Sequence, residues 1–109
     1  RLAAGATSSW AQYTVKLPAG TDRDAVMAAL KKRGVPSAIY YPVPMHRQPP
    51  YQSYPVSGCG MEVTADLCSR VLALPMHPYL DHAQQQQVAA ALATALGNSG
   101  ASGGMQEIA

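Results

Sequence analysis

Along WAQYTVKL, residues 10–17, apolar and polar positions alternate: Ala11, Tyr13, Val15 and Leu17 fall on one face, and Gln12, Thr14 and Lys16 on the other. A period of two predicts a half-buried strand, and Pro18-Ala19-Gly20 ends it. The period then changes. In TDRDAVMAALKKRG the apolar stripe is Val26, Met27 and Leu30, at helical spacing. Thr21 stands where a cap is needed, with Asp24 three residues on. The first turn is acidic, the last is basic, and Gly34 lies just past the end. VPSAIYY, residues 35–41, predicts a second strand.

A second helix is expected from a Thr64 cap through about Leu72, packing by Leu67, Val71 and Leu72, with LALPM as a short extended piece after it. Asp81 caps a last helix. Gln84 holds the capping-box position, Val88, Leu92 and Leu96 are spaced by four, and Gly97 closes the element. The glutamine run 84–87 reads as its solvent-facing first turn. This order of elements predicts an α+β fold, a small sheet with helices packed on one side.

Residues 1–9 read as a linker of small residues, 10–97 as one domain, and the Gly/Ser-rich stretch 98–109 as a flexible tail. Arg1 in the first position and that tail suggest a piece of something longer. A chain of 109 residues suits a single domain with a core but no roomy internal cleft.

Between the second strand and the second helix lies YYPVPMHRQPPYQSYP, residues 40–55, which holds five prolines and four of the six tyrosines. Prolines lower the entropy lost when an irregular loop takes one shape, and long ordered loops tend to carry function. His46 sits among Tyr40, Tyr41 and Tyr51, whose hydroxyls and flat faces equip the wall of a small-molecule pocket. A fainter echo, LPMHPYL from Leu74 to Leu80, reads as a tight link in which His77 serves structure; His82 opens the last helix.

Charge and cysteines narrow the function classes. A formal net charge of +2, with only Lys31-Lys32-Arg33 adjacent, gives no phosphate-tracking stripe, so a nucleic-acid partner is not expected. The longest apolar run, Val88–Leu96, is too short to span a bilayer, so no membrane partner is expected. Cys59 and Cys68 form no CxxC pair, and the three histidines have no ligand spacing, which leaves no metal site. Two thiols without a signal peptide read as reduced cysteines of a cytoplasmic protein. No thiol has a local base, and no carboxylates are paired at a useful spacing. Lys16, Lys31 and Lys32 all fall on solvent-facing positions, so none is a desolvated amine poised for Schiff-base chemistry, and no catalytic residue is assigned.

The series WAQYTVKL, RDAVMAALKKRGVPSAIYYPVPMHRQPPY and RVLALPMHPYL resembles the carboxy-terminal part of the DegT/DnrJ/EryC1/StrS sugar aminotransferases, over roughly residues 9–96. The resemblance implies the small domain of a fold-type-I enzyme that uses pyridoxal phosphate. It also implies transfer of an amino group, from glutamate as a rule, to a keto-sugar nucleotide within a homodimer. It places the cofactor lysine in a large amino-terminal domain outside this chain, so the fragment alone is expected to be inactive. The matching positions are Tyr40, Tyr41, Pro42, Pro44, His46 and Tyr51, then Leu74 to Tyr79. By this likeness His46, with Tyr40 or Tyr41 beside it, contacts the nucleotide sugar or the cofactor-linked sugar. The competing expectation is a stand-alone α+β module that docks a ligand or protein on its proline-tyrosine loop.

Overall fold

A computed structural model describes residues 3–58, 60–97 and 106–108 of the chain, the last three as backbone only. The elements are β1 (Tyr13–Lys16), α1 (Arg23–Lys32), two short 3-10 turns (Met45–Arg47 and Pro49–Tyr51), α2 (Glu62–Arg70), β2 (Val71–Leu74), α3 (His82–Ala95) and β3 (Gln106–Ile108).

The three strands form one antiparallel sheet in the order β2-β1-β3. β1 pairs with β2 from Tyr13↔Leu74 to Lys16↔Val71, and with β3 from Thr14↔Ile108 to Lys16↔Gln106. Because side chains alternate across a strand, Tyr13, Val15 and Leu17 share a face with Leu72 and Leu74. That face carries the core. Val15, Leu17 and Leu72 pack with Val26 and Leu30 of α1, Val35 after it, and Ala91 and Leu92 of α3. The α+β expectation, with helices laid on one side of a small sheet, describes α1 and α3; α2 buries no side chain and sits at the margin.

α1 begins one residue later than expected. Asp22, not Thr21, is its cap, and the Asp22 carboxylate accepts from the Ala25 N–H at 2.9 Å. Its other end is closed as the sequence indicates. The Val35 N–H donates to Leu30 O (3.0 Å) and the Gly34 N–H to Lys31 O (3.0 Å). That pair of bonds needs a left-handed residue between helix and exit, and Gly34 supplies it at φ +73°. Val35 and Leu30, brought together by the same motif, are both buried. In α3 the Asp81 carboxylate accepts from Gln84 N (2.8 Å), while Gln84 Oε1 accepts from Asp81 N (3.0 Å), which completes the capping box.

Three further expectations need correction. VPSAIYY does not form a strand: within it only Ala38 pairs, as a single bridge to Ala73 (3.1 and 2.8 Å). Pro36 lacks an N–H to donate, and the tyrosines turn away toward the proline-rich segment. α2 starts at Glu62, so Thr64 lies inside it and caps nothing. It stops at Arg70, because Val71 and Leu72 are taken into the ladder with β1, where Leu72 reaches the core from a strand. Lastly, the tail assigned to 98–109 includes β3 at Gln106–Ile108, whose backbone fills the second edge of β1. Cys59 and residues 98–105 lie outside the described residues.

Candidate functional site

The proline-tyrosine loop folds by local backbone bonds. Arg47 N donates to Pro44 O (2.9 Å), Gln48 N to Met45 O (3.0 Å), Tyr51 N to Gln48 O (2.9 Å) and Tyr54 N to Tyr51 O (3.1 Å). Two glutamine side chains pin it further: Gln48 Nε2 donates to Val43 O (3.3 Å) and Gln52 Nε2 to Arg47 O (2.9 Å). These bonds are internal to the loop, so they hold its shape while most of its side chains face outward.

The loop lies beside the sheet face opposite α1 and α3. There it borders a groove of about 650 Å³, with Tyr40, Tyr41 and Met45 on the loop side, Thr14 on the floor, and Leu67 and Cys68 of α2 on the far wall. Pro44, which also lines the groove, is buried and anchors the loop there. The Tyr40 and Tyr41 rings meet edge to face at 6.0 Å, an arrangement favoured by their quadrupoles. Both rings are exposed. The described lining holds no charged side chain, only hydroxyl, amide, thiol and apolar groups.

Of the three residues singled out in sequence, Tyr40 and Tyr41 stand together in the groove lining. His46 does not join that lining; it is half-buried on the 3-10 turn, directly after the groove-lining Met45. Thr14, Leu67, Cys68 and Val71 also line the groove. Leu67 and Val71 read in sequence as core-packing positions, and only their place against the loop distinguishes them. Tyr40 also borders a second cavity, of about 360 Å³, with Pro75 and Met76. The two sequence motifs therefore meet across the Ala38–Ala73 bridge. In the second motif, Leu80 N donates to His77 O (3.1 Å), closing the turn into α3. Tyr79 is almost fully exposed. His82 pairs with Gln86 within α3, ring nitrogen to amide nitrogen at 3.0 Å.

The profile of the DegT/DnrJ/EryC1/StrS aminotransferase family matches residues 2–93. The chain belongs to that family. It is 40% identical over 85 residues to the UDP-2-acetamido-2-deoxy-3-oxo-D-glucuronate aminotransferase of Pseudomonas aeruginosa, covering 78% of this chain and 22% of that protein. To the UDP-N-acetyl-3-dehydro-alpha-D-glucosamine 3-aminotransferase of Acidithiobacillus ferrooxidans it is 42% identical over 78 residues, with 72% and 20% covered. A solved DegT DnrJ EryC1 StrS aminotransferase from Brucella abortus superposes with a TM-score of 0.78 at 41% identity, covering 86% of this chain and 24% of that one. The chain thus spans about a fifth of the length of the curated relatives it matches.

Pyridoxal phosphate, the cofactor the family likeness implies, needs an amine to bond to and a cradle for its phosphate. The described groove lining has no lysine and no cation. Lys16 shares the Thr14 face of β1 but is not part of that lining, and Lys31 and Lys32 are exposed at the end of α1. By themselves these residues do not fit the cofactor. Among the described residues no group of His, Cys, Asp and Glu could hold a metal ion, and no helix is long and apolar enough to cross a membrane.

Proposed function

We propose that this chain is the small domain of a pyridoxal-phosphate-dependent aminotransferase that moves an amino group, from glutamate, onto a keto-sugar carried by a nucleotide. The observation that carries the reading is the family match over residues 2–93. The relatives named for UDP-linked keto-sugars support the substrate class. The cofactor and the lysine that binds it belong to the rest of the polypeptide, and the fragment alone is inactive.

Within that enzyme the chain's own residues bind and orient. Tyr40 and Tyr41 offer ring faces to the apolar side of a sugar and hydroxyls to its polar rim, a combination that fixes orientation as well as contact. His46 contacts the nucleotide sugar from the adjoining turn. Holding the keto carbon in one orientation is the domain's contribution to rate. The apolar exposed side chains from Tyr54 to Val63 are a surface suited to burial in a homodimer.

The test uses the full-length protein. Its visible absorption should change on adding L-glutamate, and the change should reverse on adding the 3-keto form of UDP-N-acetylglucosamine. Tyr41→Ala and His46→Ala should each slow the sugar half-reaction about tenfold or more while leaving the glutamate half-reaction unchanged. Equal losses in both halves would mean a collapsed loop and would remove the contact roles. No spectral response to any amino donor would remove the aminotransferase reading.

A further inference from the structure

α2 is one wall of the groove, through Thr64, Leu67 and Cys68, yet it is poorly tied down by its own side chains. It buries none of them and starts at Met61 without a side-chain cap. What holds it is its last turn. Leu17 N donates to Arg70 O (2.9 Å), and Arg70 Nε donates back to Leu17 O (2.9 Å). From the other side comes Arg23, the first residue of α1, whose Nη1 donates to Cys68 O (2.6 Å) and Val71 O (3.3 Å). α1 itself is fixed by Val26 and Leu30 in the core. Arg23 is therefore the side chain that transmits the position of a core helix to a groove wall.

Two details separate this contact from an incidental surface bond. The carbonyls it binds are at the carboxy-terminal end of α2, where the helix dipole is negative and a cation is favoured. The Arg23 Nε is buried with no hydrogen-bond partner among the described residues, a cost a flexible surface arginine would avoid by turning to solvent. The fold keeps the guanidinium in place despite that cost.

We propose that Arg23 is a positioning residue: by holding the Cys68 and Val71 carbonyls it sets where α2 stands over the groove, and so how closely the groove fits the sugar end of the substrate. The role in substrate fit rests on the function proposed above; the hold on α2 does not.

The experiment takes the full-length protein with Arg23→Ala, Arg23→Lys and Arg23→Gln, and makes two measurements. Amide hydrogen exchange in residues 62–72 should quicken about tenfold or more in Arg23→Ala, with α1 and α3 still protected. Steady-state kinetics with L-glutamate and the 3-keto form of UDP-N-acetylglucosamine should show KM for the sugar rising about tenfold, with KM for glutamate unchanged. Arg23→Lys, which can still donate to these carbonyls, should recover most of both effects, and the shorter, neutral Arg23→Gln should not. If Arg23→Ala fails to fold, the lysine and glutamine variants carry the same comparison. Unchanged exchange in 62–72, a parallel change for both substrates, or a lysine variant no better than glutamine would overturn the proposal. If wild-type protein transfers no amino group, the functional reading fails, and the exchange pattern alone decides whether Arg23 holds α2.

Discussion

On the helix side of the sheet, Val15, Leu17 and Leu72 are 3%, 1% and 0% exposed and meet Val26, Leu30 and Leu92. On the other side, Tyr41 and Met45 stand 70% and 67% exposed above Thr14 of the same β1 strand. Residues one position apart thus serve opposite ends. Val15 is fixed by close packing, and its neighbour Thr14 floors a groove whose rim is held by backbone bonds within the loop. The helix side stabilises the domain; the groove rim is shaped chiefly by backbone bonds within the loop, with Pro44 as its buried anchor. The two can be altered separately, and substitutions should show it.

The largest expected effect comes from emptying the core. Leu72→Ala should cost about 2–5 kcal/mol, through lost transfer energy and the cavity left behind, as read from the urea midpoint. Next is Asp81→Ala, which removes the acceptor for Gln84 N and leaves α3 less well started. About 1 kcal/mol is expected in the same assay, with no change in KM for either substrate. The smallest stability effect belongs to Tyr41→Ala, within about 0.5 kcal/mol of wild type because the ring is largely exposed. If Tyr41→Ala destabilised as much as Leu72→Ala, the independence of the two faces would be wrong.

The helix side was the more legible in sequence for a physical reason. α1 and α3 carry caps, periodic apolar stripes and closing glycines, all written within one element. Asp81–Gln84 and Leu30–Gly34–Val35 appear in the structure with the partners their spacing implies. Even there, the choice between Thr21 and Asp22 turned on geometry that two adjacent capping residues cannot decide alone. The groove side depends on contacts between distant segments. Leu67 and Val71 have the spacing of a packed helix face, and only the pull of β1 on Val71 and Leu72 shows where the helix must stop. Tyr40 and Tyr41 were visible as candidates because aromatic residues in a stiff loop are unusual. The separation of His46 from their groove follows from a 3-10 turn that proline content alone does not predict.

The hold on α2 through main-chain carbonyls has a consequence for how such a domain can diversify. Main-chain oxygens are present whatever the side chains are, so the outward positions of Glu62–Arg70 other than Arg70 can be exchanged without loosening the helix's attachment. Thr64, Leu67 and Cys68 can then be varied together as an interchangeable surface, so the groove wall is open to change by substitutions that the core would not register.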